Sequence, residues 1–316
     1  MWLLISRFLY SKDAYVRSIA LRMYYYVIVN IENPPKPYWL DLDTGSDLTW
    51  LQCDAPCTKC LPAPHKPNED LVTCMDPLCA SMHWPETLDC NSPKDQCDYE
   101  VQYADHGSSL GLLVKDSFPL QYTNGTVVKP LLAFGCGYNQ EVHASMDPPY
   151  TDGVLGLGLG KASILRQLNE LGVTKNVVAH CLSAQGDGHL FFGEEFVPSS
   201  GLINDIEGKQ IYNANEDKSL PVCWKGSKPF KSIQDVKNLF TPIMLSFAKS
   251  KNVGFQMDPE AYLIISKYGI LNGSEVSLES VNLIGDISFH DKIIIYDNEK
   301  QQIGWAPANC SKLPKS

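Results

Sequence analysis

One aspartate of this sequence stands in a setting that suits acid–base chemistry. Asp43 ends an apolar run, and Gly45 then lets the chain turn back. Hydroxyl groups at Thr44 and Ser46 can hold its carboxylate by hydrogen bonds. The arrangement predicts a rigid carboxylate at the floor of a cleft. On these residues alone an ordinary turn at the end of a strand is the commoner explanation, since Asp and Gly are frequent turn residues.

Length and charge limit what kind of protein this is. The chain has 316 residues and a net charge of −10. It is long enough for two lobes or for one large all-β unit, and nucleic acid and anionic membranes are not expected partners. No apolar run approaches the roughly 18 residues that a membrane span needs. The first nine residues are apolar, but Arg7 interrupts them and no clear cleavage site follows, so they do not form a convincing signal peptide.

The cysteines point to an oxidising compartment. The chain has eleven, of which seven lie between Cys53 and Cys97, so a disulfide framework is expected and at least one thiol has no partner within the chain. A CxxC pair within this group has the spacing of half a zinc knuckle, but no second half follows and we predict no metal site. The expected disulfide cysteines are Cys53, Cys57, Cys60, Cys74, Cys79, Cys90, Cys97, Cys136, Cys181 and Cys310.

Three glycosylation sequons agree with that compartment. They place candidate sites at Asn124, Asn272 and Asn309. Together with the cysteines they predict a secretory or extracellular location.

The pattern of elements is mainly β. Short aromatic and β-branched runs separated by Gly, Pro and Asn predict strands. A helix is predicted from Ser163 to Gly172, and another after Ser232. Residues 52–97 show no periodicity and are interpreted as an insertion held by disulfides. The predicted strands are 24–31, 38–43, 101–103, 110–114, 131–134, 190–192, 283–284 and 293–296.

The surroundings of Asp43 resemble the pepsin-like aspartic proteases. That family has Trp seven positions after its catalytic Asp, as Trp50 is here. Residues 103–111 are similar to the flap hairpin that closes over substrate, with Tyr103 at the position of the flap tyrosine and Trp50 at the position of the residue that bonds to it. Residues 152–158 resemble the apolar strand behind the catalytic loop. The resemblance makes Asp43 catalytic, supported by Thr44, Gly45, Ser46 and Trp50, and makes Tyr103, Asp105, Gly107 and Ser108 flap and substrate-binding residues.

Further segments are similar to the plant nucellin-like branch of this family. They are residues 33–38, 50–57, 134–138, 223–226 and 296–300. The resemblance covers nearly all of residues 24–314. It implies an all-β, bilobal pepsin-like fold with an intact N-terminal lobe at 23–200, which carries the insertion, and an incomplete C-terminal lobe at 201–316. Residues 1–22 are an atypical N-terminal segment.

The resemblance also implies that one catalytic unit is broken. Family members carry the Asp loop and its apolar strand twice, once in each lobe. Here the strand pattern occurs at 154–156 and again at 283–286, but no second Asp-Thr-Gly or Asp-Ser-Gly follows Gly45. Segments that relatives separate by several tens of residues, 192–195 and 205–209, are nearly adjacent. A smaller gap after residue 269 removes a cysteine and leaves Cys223 without its partner.

Two carboxyl groups are needed because they share a proton: one activates water and the other polarises the peptide carbonyl. No covalent intermediate, metal or cofactor is required. We therefore expect a monomeric chain of endopeptidase lineage, acting on extended peptides or unfolded proteins, with little or no activity of its own. Asp205, Asp217 and Asp286 do not stand in a strand-Asp-x-Gly setting and are not expected to replace the missing carboxyl group.

Three alternatives remain open at this stage. The first is an active protease that obtains its second carboxyl group from a rearranged lobe or another chain. The second is a non-catalytic homologue that binds peptides or proteins. The third is a truncated product that does not fold, because removing core strands costs more than a domain's marginal stability.

Overall fold

The computed structural model is mainly β, as expected. It describes residues 2–7, 25–31, 35–53, 70–83, 90–103, 107–141, 151–194, 233–235, 237–247, 250–261 and 285–312. The strands of the first part are β1 (Trp2–Arg7), β2 (Tyr25–Ile31), β3 (Lys36–Asp43), β4 (Trp50–Gln52), β5 (Asp98–Gln102), β6 (Ser108–Ser117), β7 (Leu120–Gln121), β8 (Val127–Val128), β9 (Leu131–Glu141), β10 (Gly153–Gly156), β11 (Val177–Leu182) and β12 (Asp187–Phe192).

The remaining described elements are the later strands and the helices. The strands are β13 (Ile243–Phe247), β14 (Ser250–Met257), β15 (Lys292–Asp297) and β16 (Gln302–Pro307). The α-helices are α1 (Pro77–Met82) and α2 (Ile164–Glu170). Short 3-10 turns occupy Ile233–Asp235, Lys237–Leu239, Pro259–Ala261 and Asp286–Phe289.

Twelve of the strands form one continuous sheet. Their order is β16-β15-β11-β12-β1-β2-β3-β10-β4-β9-β6-β5, and β7-β8 and β13-β14 form separate two-stranded ribbons. Most neighbours are antiparallel, but β10 lies parallel to β3 and β4 lies parallel to β9. The two parallel pairs bring four strands together around the residues that follow Asp43.

The sequence explains why β2 takes its place in this sheet. Tyr25, Val27, Val29 and Ile31 alternate along β2, and all four are buried in the main hydrophobic core. Side chains of a strand point alternately to opposite faces, so this spacing of two puts these four side chains on the inner face, whereas Ile28 lies on the outer face and is exposed.

Two features have no counterpart among the predicted elements. Helix α1 lies inside the cysteine-rich insertion, where Asp76 caps it by accepting a 2.9 Å hydrogen bond from the Leu78 N–H, with Pro77 in the first turn. Strand β1 lies between β2 and β12, although residues 1–22 gave no sign of a strand there.

The predicted helices have different outcomes. Helix α2 is confirmed between Ser163 and Gly172, and Gly172 ends it in the left-handed region, with φ 68°. The side chain of Ser163 makes no capping hydrogen bond. Two 3-10 turns occupy part of the second predicted helix, whose cap Ser232 lies outside the described residues, as does the predicted strand at 283–284.

Among the described residues, four disulfides join eight of the ten expected cysteines. The bonds are Cys53–Cys136, Cys74–Cys90, Cys79–Cys97 and Cys181–Cys310. Cys57, Cys60 and Cys223 lie outside the described residues. The bonds fit a secretory or extracellular location. Among the described helices, none has the length and apolar character to cross a membrane.

Removing the Cys181–Cys310 bond should destabilise the fold more than removing Cys74–Cys90. The two bonds close segments of 129 and 16 residues, and the loop-entropy relation gives about 5 and about 3 kcal/mol respectively. Denaturant unfolding of the two double Cys→Ala variants, under oxidising conditions, measures both losses. Equal losses, or a larger loss at Cys74–Cys90, would contradict this ranking.

Candidate active site

The backbone of Asp43 is fixed by the parallel pairing of β3 with β10. Asp43 is opposite Gly156 in the register, and the Leu157 N–H donates a 2.8 Å hydrogen bond to the Asp43 carbonyl. A Cβ at Gly156 would lie 2.6 Å from the backbone of Asp47 and Leu48, so only glycine lets β10 pass this close behind the loop.

The carboxylate of Asp43 is held by its own loop. The Gly45 N–H donates to Oδ1 at 2.8 Å, and the Ser46 hydroxyl donates to Oδ2 at 2.5 Å. The predicted supporting residues Gly45 and Ser46 therefore do contact Asp43. Thr44 does not: its hydroxyl lies 3.5 Å from the hydroxyl of Tyr296 on β15.

The rest of the loop is anchored on both sides. The Gly160 N–H donates to Asp47 Oδ1 at 2.8 Å, and the Gly156 N–H donates to Thr49 Oγ1 at 3.1 Å. The Gly135 N–H of β9 donates to the Thr49 carbonyl at 2.8 Å. With polar groups satisfied at each step, the loop presents Asp43 in one orientation.

A hairpin built from β5 and β6 brings Tyr103 over this loop. The Trp50 indole N–H donates a 2.6 Å hydrogen bond to the Tyr103 hydroxyl, as the family resemblance implied. Burial and the nearby Asp43 and Asp41 carboxyl groups raise the pKa of Tyr103 to about 12, against the opposing hydrogen bonds to Trp50 and Ser46. Tyr103 is therefore a neutral hydroxyl group at any physiological pH.

The tip of the hairpin contains the other predicted flap residues. The Tyr103 N–H donates to the Gly107 carbonyl at 2.8 Å, which closes the described part of the turn. Ser108 begins β6 and pairs with Gln102 of β5. Asp105 lies outside the described residues.

Comparisons with known proteins agree with this geometry. The family described as "Xylanase inhibitor N-terminal" matches residues 25–194. An aspartic proteinase of Oryza sativa subsp. japonica is 38% identical over 93% of this chain and 89% of its own length. The chain belongs to the pepsin-like aspartic proteases of plants. Aspartic proteinase 36 of Arabidopsis thaliana is 26% identical, over 96% of this chain and 77% of its own length.

Solved structures support the same fold for this aspartic protease homologue. Basic 7S globulin from soybean superposes with a TM-score of 0.61 and 13% identity, over 99% of this chain and 98% of that one. Conglutin gamma from lupine seeds gives 0.62 and 15%, over 96% and 94%. At these identities the likeness concerns the fold alone.

Sequence reasoning missed a second carboxyl group near the protease loop. The Thr151 hydroxyl donates to Asp41 Oδ2 at 3.0 Å, and burial raises the pKa of Asp41 to about 7, with a further contribution from Asp43. Asp41 precedes Asp43 by two residues, so the alternation of side chains in a strand could have identified it.

A second missed neighbour comes from the end of the chain. Tyr296 lies in β15, more than 250 residues after Thr44, and no local pattern relates the two. Burial raises the pKa of Tyr296, against the opposing hydrogen bond to Thr44. Strand β15 is five places from β3 in the order of the large sheet, so this contact does not arise from the pairing of neighbouring strands.

The remaining predicted positions that the structure describes lie in other elements. Asn124 is exposed in the turn between β7 and β8, and Asn309 is exposed after β16, whereas Asn272 is outside the described residues. Asp286 begins a 3-10 turn, and Asp205 and Asp217 are undescribed.

One group of side chains has the composition of a metal site. Ligand atoms of Cys79, His83 and Cys97 lie within 4.8 Å of one another. The two cysteines are joined in a disulfide, so neither offers a thiolate. This cluster does not fit a metal in the oxidised protein.

Replacing Tyr103 with Phe should loosen the flap. The change removes the acceptor of the Trp50 N–H, at a cost of about 1 kcal/mol, and should speed amide hydrogen exchange in β5 and β6. Tyr122→Phe is a matched control, because its hydroxyl donates a 2.7 Å hydrogen bond to the Val173 carbonyl outside the flap. Equal flap exchange in both variants would contradict a role for Tyr103 in holding the hairpin.

Proposed function

We propose that this chain is a plant aspartic protease homologue that keeps one half of the catalytic pair, at Asp43, and has little or no endopeptidase activity. The observation that carries the proposal is the built loop around Asp43, where Gly45 and Ser46 hold both carboxylate oxygens, in a sequence with no second Asp-Thr-Gly or Asp-Ser-Gly. Of the two groups that peptide hydrolysis needs, Asp43 suits the ionised one that accepts a proton from water.

The alignment with relatives supports an internal gap. The comparison with the proteinase of Oryza sativa subsp. japonica extends over 369 positions, although this chain has only 316 residues and contributes 93% of them. An alignment longer than the chain requires gap positions opposite the relative, which is consistent with an internal gap in this chain. We propose that the largest gap lies between residues 195 and 205 and removes the loop with the second aspartate.

The proposed division into an intact N-terminal lobe and an incomplete C-terminal lobe follows from that gap. Among the described residues, the main core is formed by β2, β3 and neighbouring strands of the first part. Phe255, Met257, Ala261 and Ile294 form a separate cluster among the later strands. We place the boundary near residue 200, as the sequence predicted.

Peptide binding without cleavage is the second candidate function. Its support is the flap, because the Trp50–Tyr103 hydrogen bond and the β5–β6 hairpin do not depend on a second aspartate. An extended peptide between the flap and Asp43 would gain backbone hydrogen bonds and side-chain contacts from them. The matched family also bears the name of an inhibitor, which is consistent with a binding role for the scaffold. We expect the binding unit to be a monomer.

Cleavage of an unfolded protein at acidic pH tests the proposed function. We expect no turnover above background for the wild-type protein or for Asp43→Ala. Asp70→Ala removes an exposed carboxylate outside the loop and serves as the matched control. Turnover that Asp43→Ala abolishes and Asp70→Ala retains would show that a second carboxyl group is supplied, and would overturn the proposal.

A melt separates the two inactive alternatives. A binding homologue unfolds cooperatively under oxidising conditions, and a truncated product that does not fold shows no transition. Sequencing of transcripts across the codons for residues 195–209 tests the gap itself. A transcript that contains the additional segment beside this one would identify the present chain as a shorter form.

A further inference from the structure

Asp41 and Asp43 lie on the same face of β3. Side chains of a strand alternate, so these two carboxyl groups point to one side, while Leu40 and Leu42 point to the other and pack into the main core. Two residues of strand span roughly 6.5 Å, a distance at which charges interact appreciably when water is partly excluded. The two acids therefore form a pair within one strand.

The environment of Asp41 suits a neutral carboxyl group. Thr151 donates to Oδ2, but Oδ1 is buried and finds no hydrogen-bond partner among the described residues. An ionised carboxylate has about four acceptor positions, and leaving most of them empty in a buried place is costly. Keeping the proton removes the cost of burying a charge.

The titratable groups around Asp41 do not offer a compensating positive charge. Tyr26 lies opposite on β2, Asp43 follows on β3, Asp152 is next to Thr151, and Tyr103 approaches from the flap. None of these side chains can carry a positive charge: each is neutral when protonated and negative when ionised. Within the described part of the chain, the Thr151 hydrogen bond is the interaction that favours the ionised form of Asp41.

We propose that Asp41 acts on Asp43 through its charge: the buried Asp41 carboxyl group, bound by Thr151, stays neutral beside Asp43, and its ionisation would place a second carboxylate on the same face of β3 under the flap. The inference rests on the proposed function in one respect, that Asp43 is the working carboxylate. Asp41 is not a substitute for the missing catalytic group, because Oδ1 is buried and Oδ2 is held by Thr151.

The proposal fixes how stability changes with pH. In the unfolded chain Asp41 ionises around its ordinary pKa of 3.8, whereas the folded protein holds the proton until about pH 7. The stabilisation from this raised pKa is complete below 3.8 and is lost as the pH rises through about 7.

Two variants with opposite expected effects test this dependence. The Asp41 contribution to the melting temperature should fall between pH 4 and pH 7.5, by on the order of 5 °C, whereas buried His180, whose pKa burial lowers to about 4, contributes a rise over the same range in every variant. Asp41→Asn should remove most of that fall, because the amide cannot ionise. Thr151→Val should enlarge it, because the ionised form loses its one hydrogen bond. A fall that persists unchanged in Asp41→Asn, or one that shrinks in Thr151→Val, would overturn the proposal.

Carboxyl carbon NMR tests the coupling to Asp43 directly. Asp41 should titrate near neutral pH in the wild-type protein, and Asp43→Asn should lower its midpoint, because the repelling charge is gone. A purely structural role for Asp41 predicts no such shift, so an unchanged midpoint would overturn the coupling. Neither measurement depends on turnover. Failure of the proposed function would appear in the cleavage assay, and failure of this inference in the titration.

Discussion

The site depends on the close approach of two parallel strands, β3 and β10, behind the Asp43 loop. Strand β10 also passes so close behind the loop that the backbone of Asp47 and Leu48 leaves no room for a side chain at Gly156, and the Leu157 N–H donates a hydrogen bond to the Asp43 carbonyl. Because β10 also pairs with β4, the same contact sets the direction in which the chain leaves the loop toward Trp50. The same packing constraint therefore sets the position of the Asp43 carboxylate and the position of Trp50, whose indole N–H donates to the flap tyrosine.

Sequence could predict the parts of this arrangement that are local. Asp43, Gly45 and Ser46 are within three residues of one another, and their hydrogen bonds follow from the turn that they form. The contact between Trp50 and Tyr103 could be predicted only from the family resemblance, because no periodicity relates residues 53 positions apart. The all-β class followed from alternating runs such as the one in β2.

The features that the sequence could not predict depend on contacts between residues far apart in the chain. Strand β1 gains its place from partners near residues 25 and 190, and the Tyr296 hydroxyl reaches Thr44 although β15 and β3 are not neighbours in the large sheet. Helix α1 is short and stapled by Cys79–Cys97, so it does not need the apolar periodicity by which helices are recognised. The alternation rule could place Asp41 beside Asp43, but its hydrogen bond to Thr151 arises only when β10 packs against β3.

The bond between Cys181 and Cys310 has a consequence for the integrity of the chain. It joins β11 to the segment after β16, and everything between residues 182 and 309 is enclosed by it. A peptidase that cuts once anywhere in that interval produces two polypeptides that remain covalently attached. The two pieces separate only when a reductant also acts. In an oxidising compartment, a nicked form of this protein would therefore keep β15 and Tyr296 tethered to the strands that carry Asp43.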